Sequence, residues 1–506
     1  MTNNNLENRV LKPNISIGER LKTFLFENKV MLVFVIICYL GYLASGSRAD
    51  TVLNEVFTRI SRNSFTVLSL LIPVLAGMGL NFGIVIGAIA AQIAVFAVVY
   101  WGLAGLSGMA LAVLIATPLA IIFGYLVGKL FNMTKGAEMI TGLILGYFAD
   151  GLYQLLFLVL IGRVIPATNP RFIIDGGVGV KNVVDLTGTL KYSIDRVRII
   201  DLALGLLVIV AVITAVRLYL HLSKKRKFTL KDLALMVGVG ILYGITYIPA
   251  IERHLYVERI NLIVALSLVL ALFAIKSAYS IYKNRDGHDP TYSRGRSISI
   301  IVISVIAFAL TYVPSIETLI MSVELPVLPY VLIGGLMAFN KGILNTRLGH
   351  NMRTVGQSNA VAAASGINVD RTRLIAVILS TVLACWGQLI YLQNLGTFST
   401  YGAHMQVGQF AVAALLVGGA SVSKATNSQA IIGVTLFHLL FIIAPQAGNN
   451  LFGDAQVGEY FRVFVSYGVI ALSLAMHAWQ RKKPAGSMMA SLSQAGPAIA
   501  ETEKKE

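Results

Sequence analysis

The chain alternates apolar runs of membrane length with short polar interruptions. About 20 apolar residues at ~1.5 Å per residue cross a ~30 Å hydrocarbon core. Runs of this kind lie at 29–45, 64–82, 84–101, 105–129, 138–162, 199–222, 233–251, 260–282, 298–313, 327–344, 374–394, 407–422, 428–444 and 459–479. The pattern predicts an all-α polytopic integral membrane protein with about 14 transmembrane helices. An even number of crossings puts both termini on one side. Arg9, Lys12, Arg20 and Lys22 before the first run, and Arg481, Lys482 and Lys483 after the last, assign that side to the cytoplasm. Residues 1–28, which carry no cleavable signal pattern, read as a cytosolic N-terminal segment, and 481–506 as a cytosolic tail.

From that start, Lys129 and Lys135, the run Lys224 to Lys227, Lys283 to Arg296, and Arg347 to Arg373 fall inside. The loop holding Glu317 and Glu324 falls outside. The loop 163–198 falls outside as well, although it carries six basic residues; it is long, and long loops follow the charge rule less closely.

Two stretches are not plain helices. In 70–92, Pro73 and glycines 77, 79, 83 and 87 surround Asn81. In 407–433, Gly418-Gly419 interrupts an apolar run before a polar turn. Gly79, Gly83 and Gly87, at four-residue spacing, suit close helix approach. A backbone break at membrane depth is tolerated where it is buried in protein or lines a cavity. Corresponding breaks in two halves therefore suggest a pseudo-symmetric pore with its path between them; ordinary small-residue packing is the plainer explanation.

The longest polar interruption of the C-terminal half, 345–373, reads as a short helix from Gly349 to Gly366. Met352, Val355, Ala360 and Ala362 to Ala364 form one small apolar surface, flanked by Arg347, Arg353, Arg371 and Arg373. Gly366 is the expected C-cap. A small-residue helix at the membrane surface, tied to a spanning helix on each side, suits docking into a groove of another protein.

Composition narrows the classes. The chain is 56% hydrophobic and 13% charged, against about 25% charged in soluble domains. The net charge of +17 does not indicate nucleic acid, because the basic residues sit in clusters between apolar runs. Cys38 and Cys385 both lie inside apolar runs, and the seven histidines are scattered, so neither a disulfide framework nor a metal site is expected, and no cofactor. The nearest approach to a phosphate-binding loop, Gly418 to Ala425, lacks the second glycine and the hydroxyl residue after Lys424. Energy must come from another chain or from an ion gradient, and no constellation for an enzyme is visible.

Within the runs, Asp150 sits at the centre of 138–162 with Gln154 one turn on. An ionisable group at that depth is a functional-site candidate, or a hydrogen-bonded packing contact. Asn81, Gln92, Gln388, Gln393, Asn394, Gln409 and His438 are candidates to line a path for a hydroxyl-rich solute, since amides both donate and accept. Each also serves ordinarily as glue between helices.

Thr346-Arg347-Leu348-Gly349, then Val355-Gly356, then Ala362 to Ile367, resemble the cytoplasmic coupling segment of ABC importer permeases. The family is the one serving ribose and other simple sugars, nucleosides and branched-chain amino acids. The Gly-rich stretch 75–92 and the run Val417 to Ser421 add to the likeness. The resemblance implies that 350–366 is a coupling helix, with Gly349, Arg353, Gly356, Ala362, Ala363 and Gly366 meeting an ATP-binding cassette ATPase subunit. It further implies an extracytoplasmic solute-binding protein, a second permease copy or paralogue, and a place in the cell's inner membrane.

Family members have about ten spanning helices. The chain therefore divides into 29–222 as the N-terminal half of the core, 223–326 as inserted transmembrane helices and loops, and 327–480 as the C-terminal half. The expected function is ATP-driven import of a small polar solute, a simple sugar or nucleoside, by alternating access. The alternative is an ion- or proton-coupled carrier using Asp150.

Overall fold

The computed structural model describes residues 25, 28–161, 164, 169–174, 180–222, 230–249, 252, 255–284 and 294–482. The expectations for most of 1–28, for the tail beyond Lys482, and for the clusters at Lys224 and Arg285 lie outside the described residues.

Each of the fourteen runs contributes to helix. In order these are α1 Lys29–Ser45, α2 Ala49–Ser69, α3 Leu71–Leu75, α4 Ile84–Tyr100, α5 Gly105–Met133, α6 Glu138–Leu160, α7 Ile199–Leu222, α8 Leu230–Ile245, α9 Leu262–Lys283, α10 Arg294–Leu310 and α11 Pro314–Met321. They continue with α12 Val327–Ile343, α13 Arg347–Gln357, α14 Asn359–Ala364, α15 Val369–Leu395, α16 Ala403–Val417, α17 Asn427–Phe452 and α18 Ala455–Lys482. The molecule is an all-α polytopic membrane protein. Among the described residues six helices are long and apolar enough to cross a membrane, or up to eight if each of two bent pairs is one span. The count of fourteen crossings therefore does not follow from helix length: α1, α4 and α16 are apolar but have only 15 to 17 residues.

The second predicted run starts in the wrong place. The helix begins at Ala49, well before residue 64, and its first half is polar. Residues 49–63 alternate polar positions with Val52, Val56 and Ile60, which are buried, so periodic burial holds a segment that lacks an unbroken apolar run.

The core is built around α15, from which Thr381, Ala384, Cys385 and Gln388 are among the fully buried residues. Its neighbours reach it through glycines. A Cβ at Gly87 of α4 would overlap the Thr381 carbonyl, and one at Gly124 of α5 would come within 2.9 Å of Ile378 Cα. On α15 itself, a Cβ at Gly387 would strike Thr66 of α2. Close backbone approach replaces hydrophobic drive as the source of helix association in lipid.

Of the three spaced glycines, Gly87 alone lies on a helix. Gly79, with φ +73, and Gly83 belong to the break before α4.

Two small antiparallel ladders clasp the loops, β1 Val183–Asp185 with β4 Thr397–Ser399, and β2 Arg259–Asn261 with β3 Glu324–Pro326. The described residues between 195 and 327 contribute nothing to the main core. Helices α7 with α8, and α9 with α10, pack as pairs beside it, and Leu262, Ile263, Ile320, Val323 and Leu325 form a separate small cluster.

Gly87→Ala should lower thermal stability in detergent by about 1–3 kcal/mol, the cost of overpacking a filled contact. Gly205→Ala, where nothing lies within 4 Å of the added methyl, should leave the melting temperature unchanged or slightly raised. A fluorescence-monitored thermal ramp on both variants checks this.

Candidate functional site

The interruption at 345–373 is folded, and it is two helices rather than one. The chain turns by 74° between α12 and α13, so α13 lies across the end of the bundle. Thr346 caps α13 by accepting from the Gly349 amide at 3.2 Å, Ser358 caps α14 by accepting from Val361, and Asn368 caps α15 by accepting from Arg371. These side chains satisfy amides that a helix start leaves without partners. Ser358, with extended backbone, makes the break. Gly366 stands at φ +76, the left-handed position expected of it.

The apolar surface is divided between two directions. Met352, Val355 and Ala362 are buried, facing the protein's own core, while Ala360, Val361, Ala363 and Ala364 are exposed. Ala362 is therefore part of the seat and not of the outward surface. Arg347, Arg353 and Arg371 are exposed as expected. Arg373 is not: it is 2% exposed, pairs with buried Glu138 at the start of α6, and donates to the Phe131 carbonyl at 3.3 Å. Lys135 pairs with Asp370 at 2.5 Å, and Asn132 donates to the Asp370 carbonyl at 2.8 Å. The α5–α6 turn is thereby clamped to the first turn of α15.

The seat of α13 is the break between α3 and α4. A Cβ at Gly77, with φ +72, would come within 2.6 Å of Gly356 Cα, and one at Gly356 would collide with the Leu75 carbonyl. Gly349 is as constrained, because a Cβ there would overlap the Ile343 carbonyl. The break after Gly419 reaches the same end, where the site of a Gly79 Cβ lies 2.9 Å from Val422. Lys424 is exposed in that turn. Both breaks thus meet at the end of the bundle that carries α13 and α14, not midway along it.

The polar residues of the runs fall into separate groups. Gln92, Gln154 and Gln388 converge on one segment: their amides donate to the carbonyls of Ser399 at 3.1 Å, Tyr401 at 3.3 Å and Ala403 at 3.4 Å. Asp150 accepts from Gln154 at 3.1 Å and meets His404 Nε2 at 2.7 Å. Four side chains from α4, α6 and α15 thus hold the entry to α16. Gln393 and Asn394 donate to buried Asp195 at 2.8 and 2.6 Å, fixing the loop before α7 on the end of α15. In that loop Asp185 has its carboxyl held below the usual range by the Thr187 hydroxyl and amide.

Asn81 lies apart, accepting from the Gly83 amide at 2.9 Å, and Gln409 bonds Tyr147 and Tyr467. Asn81, Gln92, Asp150, Gln154, Gln388 and Gln409 thus fall into separate groups. A cavity of about 640 Å³ between α4, α5 and α6 is walled by residues such as Ile93, Phe123 and Phe157 and offers almost no polar surface to a hydrophilic solute.

Sequence reasoning missed Arg373, which looked like one more loop cation, and the cations Arg59, Arg62 and Arg462. The last three line a polar cavity with His438. The spacing Arg59, Arg62, Thr66 on one helical face was the available signal.

Apolar helices packed by glycine, with a capped crosswise pair at one end, make a polytopic membrane protein. The family model described as branched-chain amino acid transport system, permease component, matches residues 190–474, more than half of the chain. The chain belongs to this family and is an ABC-type permease component, a transport subunit rather than an enzyme. No curated protein and no solved structure matches it.

Arg373→Gln leaves Glu138 buried and uncompensated, and should destabilise the protein by about 3–5 kcal/mol. The double variant with Glu138→Gln should recover a large part of that loss. Urea or thermal unfolding of the four members of the cycle checks both statements.

Proposed function

We propose that the chain is the transmembrane subunit of an ATP-driven importer, and that α13 and α14 form its coupling element, with the end that carries them in the cytoplasm. One observation carries this reading: a pair of capped helices lies crosswise with Ala360, Val361 and Ala363 turned outward, and is seated backbone to backbone on Gly77. An ATPase subunit pressing on that surface would move α15 directly, through the short link at 365–368 and through the clamp of Arg373 and Glu138. Gly349, Gly356 and Ala362 maintain the seat, while Arg353 and Ala363 meet the partner.

A second permease copy or paralogue, a pair of ATPase subunits and an extracytoplasmic binding protein complete the assembly in the inner membrane. The solute is small and polar, a simple sugar or a nucleoside. Gln92 and Gln388 each keep a buried Oε1 without a partner among the described residues, an acceptor pair suited to hydroxyl groups. The inserted element is 223–326; among its described residues α9 and α10 pack as a pair beside the core, and they serve as an added element, not as part of the path.

The second reading, a proton-coupled carrier, draws on the contact of Asp150 with His404. The same contact has a structural role in holding the entry to α16, and this favours the importer.

Val361→Asp combined with Ala363→Asp should abolish co-purification of the ATPase subunit in mild detergent while leaving the melting temperature near wild type. Ala362→Asp, which buries a carboxylate, should destabilise the fold itself. An ATPase retained by the first variant would remove α14 from the docking surface. Separately, uptake by the reconstituted assembly should need ATP alone and resist ionophores, and Asp150→Asn should retain it; collapse with the proton gradient would instead establish the carrier reading.

A further inference from the structure

One face of α2 and the helices around it enclose a polar cavity of about 160 Å³ far from the docking segment. Arg59, Arg62 and Thr66 face it from α2, Gln406 from α16, His438 from α17 and Arg462 from α18. Arg62 lies roughly 20 Å along the helix from the Leu75 end that meets α13. The mouth is beside exposed Gln406.

The charges do not balance. Glu55 stands 3.7 Å from Arg59, and Glu459 pairs with Arg462. Arg62 has no carboxylate partner among the described residues; its guanidinium rests over the Tyr391 ring at 5.4 Å. The Arg462 guanidinium lies 4.5 Å from the Phe441 ring. Five polar atoms around the cavity are buried without a hydrogen bond: Nε of Arg59, which is the atom nearest Glu55, Nε of Arg62 and Arg462, Nδ1 of His438 and the hydroxyl of Thr66. His438 and Thr66 are 5% and 3% exposed, so solvent does not reach them freely. The three arginines are half-buried, but their Nε atoms, His438 Nδ1 and the Thr66 hydroxyl are shut away from water without hydrogen bonds, a cost that an anion in the space would remove.

We propose that this cavity binds a tetrahedral oxyanion, the phosphate group of a phosphorylated solute or of an anionic lipid headgroup. Guanidinium forks match the edge of a phosphate, and three or four oxygens answer three guanidinium groups and a hydroxyl better than the two of a carboxylate. The volume admits the phosphate group and a short ester, so the rest of the molecule extends through the mouth beside Gln406. Whether the chain works with an ATPase does not enter into this inference.

The test uses the full chain in a maltoside detergent, wild type and Arg62→Gln, with Arg62→Lys as the substitute if the first does not fold. Calorimetry with inorganic phosphate and with glycerol phosphate on delipidated protein should show binding that weakens at least tenfold in the variant. Native mass spectrometry before delipidation should show whether phospholipid is retained; retention lost in the variant assigns the site to a headgroup. Phosphate binding with no retained lipid assigns it to a solute. Acetate binding as tightly as phosphate, equal binding by wild type and a folded variant, or no binding of phosphate or phospholipid would each overturn the proposal.

Discussion

Close backbone approach onto α15 is the constraint on which the rest depends. In lipid, apolar side chains gain little by leaving the surrounding tails, so helices associate where they fit. Gly87, Gly124 and Gly128 bring α4 and α5 against Thr381, Ile378 and Leu374, and Gly387 admits Thr66 of α2. With its neighbours in backbone contact, α15 has little room to shift alone.

Both ends of α15 are tied by polar groups. At one end Arg373, Asp370 and Asn368 join it to the α5–α6 turn and to its own cap. At the other, Gln393 and Asn394 hold the loop at Asp195, while Gln388 joins Gln92, Gln154 and Asp150 in fixing the segment before α16. These bonds cross between elements far apart in sequence, and each satisfies a group that hydrocarbon would penalise. The same accounting separates Arg373 from Arg62. The first is matched by Glu138; the second faces a cavity with aromatic support only.

The loops that break α3 from α4 and α16 from α17 do not open a path at mid-depth. They gather under the crosswise pair, where Gly77 meets Gly356 and Gly79 approaches Val422. Broken helices thus let α13 approach backbone to backbone at Gly77 and Leu75.

Much of this was legible along the chain because it depends on local rules. Membrane-length apolar runs became helices, Gly366 became the left-handed cap, and the polar interruption at 345–373 became a surface-lying element, since length, capping and φ are properties of neighbouring residues. The start of α2 was not legible: residues 49–63 lack an apolar run, and only burial of Val52, Val56 and Ile60 keeps them helical in place. Nor was the division of Met352 and Ala362 from Val361 and Ala363, which depends on the direction from which the core approaches. Asp150, the glutamines and Arg373 looked alike as polar residues in or beside apolar runs, and their partners decided which became clamps. Sequence determined the class, the helices and the place of the polar interruption at 345–373, because those follow from periodicity and composition. Tertiary structure decided which polar groups are matched and which face a cavity, because that depends on partners hundreds of residues away.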